Sequence, residues 1–321
     1  MLRGEEDQSL AIYGEKGIGK TTLLDRIEKQ FTEQKTIRIS IPTKIWQKEE
    51  LNSFFAKELG LEETESLKKS ILEFNKKQTG KTLILIDDAQ NLFLGKYGGF
   101  EAFREFVTLV NLKTDKLFWC SSFNEYSWSY IKGVMGSAQY LRTEVFLGGW
   151  TDDAIRELIL TKHKQSDYKL SYDQIIMASR SSTNQSEAVS EAEEQFFRLL
   201  WEQSNGNPRV ALFLWVNCLI PKGSNTLKVS LPERPKPEKL SFLDDNAWFV
   251  LAAIAKHENL TRNEAAATTS LEWAQVAHAI KICLEKGLLH RNEENRYRLH
   301  FQYQYDLIKQ LRAKNFIYGI E

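Results

Sequence analysis

The chain has 321 residues, which suits about two domains at roughly 150 residues each. Forty-three basic residues balance forty-three acidic ones, and hydrophobic residues make up 42% against 27% charged. This excludes a disordered or collagen-like chain, and a surface built wholly to coat nucleic acid or an anionic membrane.

From residue 9 to about 150, short apolar β-rich runs alternate with helix-length amphipathic stretches, the pattern of an α/β domain with a parallel sheet. The runs are Leu10–Tyr13, Thr36–Ile41, Thr82–Asp87, Leu117–Ser121 and Glu144–Leu147, most of them separated by a stretch long enough for a right-handed crossover. Residues 151–220 predict helices only. One covers Ile155–Leu160 behind the cap Thr151-Asp152-Asp153, and Glu194–Gln203 and Pro208–Cys218 make two more. The polar, Ser-rich stretch Ser179–Glu187 reads as a mobile loop. Residues 221–240 hold Pro221, Pro232, Pro235 and Pro237, four of the six prolines, and read as a linker. Residues 241–321 give helix (Leu243–Ala255), short helix (Thr261–Ala267), helix (Leu271–Lys286), a hairpin (Gly287–His290 and Arg296–Phe301) and a closing helix. That is the order of a winged helix-turn-helix. Cys120, Cys218 and Cys283 are far apart in apolar surroundings and read as buried thiols. With a charged start at Met1–Gln8 and no apolar run near the ~20 residues a bilayer span needs, the expectation is a cytoplasmic protein without membrane insertion.

Gly14-Glu15-Lys16-Gly17-Ile18-Gly19-Lys20-Thr21, set between an apolar strand and a helix over Thr22–Phe31, fits the Walker A pattern. A phosphate group needs converging backbone N–H donors; the glycines permit the turn that aims them, and the helix N-terminus adds its dipole. Residues 14–22, from Gly14 to Thr22, are therefore assigned to nucleotide binding. Lys20 neutralises the β/γ oxygens, and the Thr21 hydroxyl takes Mg2+. Leu83-Ile84-Leu85-Ile86-Asp87-Asp88 is an apolar strand ending in two acids, which repel at a core edge and so argue for chemistry rather than stability. At a Walker B position Asp87 holds Mg2+ through water and Asp88 is the general base on the attacking water. The competing account has Asp88 capping the turn Ala89–Leu92.

Loop, acidic strand and the features below resemble the AAA+ P-loop ATPases over residues 9 to about 310. The likeness is narrower to their initiator (origin-recognition) clade and to the related signal-transduction ATPases with numerous domains (STAND). The resemblance implies an α/β ASCE core over 1–150, a helical lid over 151–220 and a C-terminal winged helix over 241–321. Gly206-Asn207-Pro208-Arg209-Val210-Ala211-Leu212 follows the initiator lid motif Gly-Asp-x-Arg-x-Ala-Leu and also satisfies the STAND Gly-x-Pro. It implies Pro208 beside the nucleotide and Arg209 as the sensor-2 arginine on the γ-phosphate; the other account is a solvated arginine on a first helical turn. Ser122 or Asn124 is implied as the sensor-1 residue orienting water, against ordinary strand-end turn chemistry. Arg142 stands where oligomeric members carry an arginine finger, although an exposed surface arginine is the account the sequence favours. His300, in Arg296-Tyr297-Arg298-Leu299-His300, matches the histidine of the STAND Met-His-Asp motif, which faces the β-phosphate. Phe301 replaces the Asp, and a core or wing histidine is favoured. Family members also carry a helix and turn ahead of the first strand that close over adenine. Only Met1–Gln8 stand there, so either the lid and winged helix hold adenine or the module is part of a longer machine.

The expected function is an ATP-binding, slowly hydrolysing AAA+/STAND-like switch that uses Mg2+ and binds ATP and ADP. Slowness is implied by Asp88, where many hydrolytic members carry Glu. A second copy of the chain or a protein partner is expected. The alternatives are a non-hydrolysing nucleotide-gated scaffold and a DNA-remodelling ATPase of the initiator or transposition type. Nucleic acid is not favoured: Ser241–Glu321 holds ten Lys/Arg against ten Asp/Glu, and the predicted recognition helix offers only Lys281 and Lys286.

Overall fold

An apolar run without alternation needs cover on both faces, and Thr82–Asp87 has it: all six residues are buried. This run is β3 of a parallel sheet in the order β2-β3-β4-β1-β5, with β1 at Ser9–Gly14, β2 at Lys35–Ser40, β4 at Leu117–Asn124 and β5 at Thr143–Leu147. The computed structural model describes residues 8–61, 66–136, 140–173, 175–176, 185–232 and 240–318. All five expected strands are present, and β4 runs on to Asn124 rather than ending at Ser121. Registers Gly14↔Asn124, Gly14↔Leu147 and Ser40↔Asp87 bring the C-terminal strand ends to one edge.

The two-residue period of β3 divides the core. Ile84 and Ile86 join Ala11, Ile39 and Trp119 on one face, under helices α2 (Lys48–Leu59), α3 (Leu67–Lys77), α4 (Glu101–Val110) and α5 (Glu125–Met135). Leu83 and Leu85 join Ile12, Phe118 and Cys120 on the other, against Leu24 of α1 (Lys20–Gln30). Beside α1 a groove of about 590 Å³, lined by Leu10, Ile27, Phe31 and Phe118 among others, stays open.

The chain forms two compact units: Met1–Leu147 with Leu243–Leu299 and Leu311–Glu321, and Gly148–Phe242 with His300–Gln310. In the second unit α6 (Asp152–His163) starts where the Thr151 hydroxyl accepts the Ala154 N–H. Helices α7 (Gln185–Ser204) and α8 (Pro208–Asn217) pack on it through Ile155, Ile159, Phe196, Leu200, Val210 and Trp215. The expectation of helices alone does not hold here. β6 (Lys169–Ser171), β7 (Leu219–Pro221) and β8 (Thr226–Val229) form a three-stranded sheet, too short for any period to show in the sequence. β8 lies within the proline-rich stretch, which is thus not linker throughout; Pro235 and Pro237 fall outside the described residues, as do Ser179–Asn184 of the Ser-rich stretch. Residues 185–187 open α7.

Back in the first unit come α9 (Asp245–His257), α10 (Arg262–Thr269), α11 (Trp273–Glu285) and the antiparallel pair β9 (Leu289–Arg291) and β10 (Tyr297–Leu299). Val250, Leu251, Ile254, Ala265, Val276, Ile280 and Leu288 bury their apolar faces. Helix α12 (Phe301–Ala313) follows, its residues up to Gln310 counted with the second unit and the rest with the first. The three cysteines are buried and free. Among the described residues no helix is long and apolar enough to cross a membrane.

Candidate functional site

The loop after β1 is shaped by glycine. A Cβ on Gly14 would stand 2.5 Å from the Leu147 carbonyl oxygen, and Gly17 and Gly19 adopt φ of 88° and 114°. Gly19 is the N-cap of α1, and no side chain caps that end, the kind of helix N-terminus whose backbone N–H groups and dipole suit an anion. Lys20 is buried at the start of α1, its Nζ donating to the carbonyls of Gly14 and Glu15 at 2.9 Å each. Burial lowers its pKa, while the carboxylates of Glu258, Asp88 and Asp87 oppose that shift. Thr21 and Thr22 are exposed on the same turn. The Glu15 carboxylate accepts from the Tyr126 hydroxyl at 2.5 Å, which anchors the loop to α5.

Asp87 ends β3, buried. Its Oδ2 accepts from the Arg38 guanidinium at 2.9 Å and its Oδ1 from the Ser122 hydroxyl at 2.5 Å. Asp88 is held in the left-handed region at φ 59°, its N–H donating to the Ser122 oxygen at 3.1 Å. It stands at the N-cap of the short 3-10 turn Ala89–Leu92, yet its side chain makes no capping hydrogen bond there. The carboxylate instead accepts from the Gln90 amide at 2.9 Å. Burial, then Glu258, then Asp87 raise its pKa, a shift toward the range useful to a general base.

Ser122 and Asn124 are both buried in this cluster. Ser122 ties Asp87 to the Asp88 backbone. The Asn124 side-chain oxygen accepts from the N–H groups of Tyr126 and Ser127 and so caps α5. Arg142 is exposed just before β5, at the opposite end of that strand from the loop-side edge. Pro208, Arg209 and His300 belong to the second unit. There Pro208 opens α8, Arg209 is exposed with its guanidinium 4.2 Å from the Phe301 ring centroid, and His300 packs edge-on against Phe213.

Four residues escape sequence reasoning. Arg38 sits at an ordinary alternating position of β2. Gln90 is buried and ties three backbone and side-chain groups together: Asp88, Glu258 and, through its oxygen, the Asn124 N–H. Lys44 is buried, donating to the carbonyls of Gln90 and His257, and burial lowers its pKa to about 7. Glu258, directly after α9, pairs with Lys16 at 2.5 Å. The sole local signal for any of them is Gln90, two residues past the acid pair.

The oxygen donors fit Mg2+, which takes one or two protein oxygens and completes its shell with phosphate and water. Asp87 and the Thr21 hydroxyl are the oxygen groups at this edge of the kind Mg2+ accepts, with the Asp87 oxygens held meanwhile by Arg38 and Ser122. Among the described residues no group of three or more His, Cys, Asp or Glu could hold a metal unaided.

A search of curated proteins finds no match. Three solved structures are similar at low identity. Cdc6p from Pyrobaculum aerophilum is 14% identical, covering 96% of this chain and 88% of that one with a TM-score of 0.39. The Aeropyrum pernix ORC2 protein, in ADPNP–ADP complexes, is 13% identical over 98% and 91%, TM-score 0.41. The Aeropyrum pernix ORC1 protein in complex with DNA is 13% identical over 98% and 88%, TM-score 0.39. Residues 3–121 match the family model described as an AAA domain, a stretch that includes the phosphate loop, the acid pair and β4 as far as Ser121. With the five-stranded parallel sheet, that match gives the α/β core the fold of the P-loop AAA+ ATPases.

Proposed function

We propose that this protein is an ATP-binding and slowly ATP-hydrolysing switch of the AAA+ type. One observation carries the reading: the acid pair Asp87–Asp88 is wired through Ser122 and Gln90 at the same sheet edge as the glycine loop and Lys20. The loop N–H groups and Lys20 bind the phosphates, and Lys20 leaves the Gly14 and Glu15 carbonyls to do so. Thr21 and Asp87 would hold Mg2+, which supplies charge to the β/γ oxygens. Asp88, oriented by Gln90, takes the proton of the attacking water. By the family resemblance Arg209 reports the γ-phosphate from the lid, His300 the β-phosphate, and Arg142 acts on a neighbouring copy. The three helices and hairpin of Asp245–Leu299 are read as a winged helix that serves a protein contact. Arg296, a hairpin arginine that could otherwise face a nucleic-acid backbone, supports this by being buried and paired with Glu264 at 2.9 Å.

The test is phosphate release from Mg-ATP by the purified chain. Asp88→Asn should cut turnover by about 10²–10⁴-fold, the usual worth of a general base, with nucleotide binding retained. Unchanged turnover in that variant contradicts the assignment. A second reading, nucleotide holding without turnover, is favoured by the commitment of Asn124 to helix capping and of Ser122 to Asp87. It predicts a melting shift with Mg-ATP and no phosphate release by the wild type.

A further inference from the structure

Glu258 is built into the phosphate loop's surroundings by several independent bonds. Its neighbours are fixed to the ATPase core: the Lys256 carbonyl accepts from Ser127 at 2.6 Å, the His257 carbonyl from Lys44 at 2.9 Å, and His257 Nε2 from the Gly95 N–H at 2.9 Å. The backbone then turns at Glu258 with φ of +64°, a region glutamate seldom adopts, and this delivers its side chain to the loop. Oε1 meets Lys16 Nζ at 2.5 Å, with both side chains largely buried (15% and 10% exposed). Oε2 accepts from Gln90 Nε2 at 2.9 Å, the same nitrogen that lies 2.9 Å from Asp88 Oδ1. The Glu258 and Asp88 oxygens are therefore no farther apart than twice that length. Burial alone would raise the Glu258 pKa, but Lys16 and Lys20 outweigh it and hold the carboxylate ionised.

We propose that Glu258 is a specificity-determining residue, a built-in anion that competes with the terminal phosphate of a nucleoside triphosphate for Lys16. This rests on the nucleotide reading above, in which Asp88 acts at the γ-phosphate; a charge within that distance of Asp88 is then beside the same phosphate. A triphosphate must separate Glu258 from Lys16 or carry its γ-charge against the carboxylate. A diphosphate does not extend so far. The cost falls on the triphosphate alone, and the segment that bears Glu258 is forced to respond when it binds.

The experiment is calorimetric titration of the full chain with Mg-ADP and with a Mg-bound β,γ-imido ATP analogue, on wild type, Glu258→Gln and Glu258→Gly. The glutamine keeps size and the Gln90 contact. The glycine relieves the positive φ, which offsets part of the loss of the side chain's bonds to Lys16 and Gln90, and is the second variant should glutamine fail to fold. The expected result is a shift of the Kd ratio toward the triphosphate by about tenfold or more, equivalent to about 1.4 kcal/mol, with the ADP value changed far less. Analogue binding by the variants where wild type binds only ADP is the same result in its extreme form. A ratio unchanged, or moved toward ADP, overturns the role of Glu258 while leaving nucleotide binding intact. No binding of either nucleotide by any of the three proteins overturns both.

Discussion

His257 shows how one buried side chain records the electrostatics of this region. It is 2% exposed and uses both ring nitrogens: Nε2 accepts from the Gly95 N–H, and Nδ1 faces the Ala253 carbonyl at 2.7 Å and must donate to it. A second proton would have to sit on Nε2, against the Gly95 N–H. Burial, with Lys44 nearby, lowers its pKa to about 3. Above pH ~6.5 neither folded nor unfolded chain protonates this group. Below it the unfolded chain binds a proton that the folded chain refuses, so stability is lost as pH falls from about 6.5 toward 3. In urea unfolding, His257→Gln should be less stable than wild type at pH 7.5. The gap should narrow by about 1.4 kcal/mol at pH 5.5; a gap that stays constant contradicts the neutral buried histidine. Lys20, Asp87 and Asp88 stand out in the sequence because each belongs to a contiguous motif, and the fold brings the ends of β1 and β3 that carry them to one edge of the sheet. Glu258 does not, since its partners Lys16 and Gln90 come together only through folding, and a carboxylate after a helix carries no local sign of a distant lysine.

At the scale of elements, propensity and pattern sufficed wherever a run was long and apolar. β3 is recovered residue for residue because its buried character is uninterrupted. β4 outran its apolar part since Ser121 and Ser122 are buried in it, and Ser122 is accommodated by bonds to Asp87 and Asp88 that sequence does not reveal. The same hidden satisfaction makes a polar strand end look like a turn. Short strands β6 to β8 gave no signal, and prolines beside β8 disguised it. Helix starts were more readable, being written in one or two residues. Asn207, 1% exposed, accepts from the N–H groups of Arg209 and Val210, with Pro208 in the first turn of α8. Asn207→Ala should cost about 1 kcal/mol in urea unfolding, and a change below a few tenths would show that the cap does not hold that helix start.

For the whole molecule, the sheet edge that carries the glycine loop and the acid pair shares one unit with the segment Leu243–Leu299, while Arg209 and His300 belong to another. Under the proposed switch, the charge of a bound nucleotide is to be felt by the helix-and-hairpin segment of the same unit. All such coupling depends on the loop from Gly14 to Thr21 taking the phosphates of Mg-ATP. The most direct measurement is equilibrium titration of Mg-ATP into the full chain beside Lys20→Ala. The account predicts saturable one-site binding by wild type, visible also as about 2.7 kcal/mol of stabilisation at a hundred times Kd, and loss of both in the variant. Equal binding by the two proteins, or none by the wild type, would contradict it.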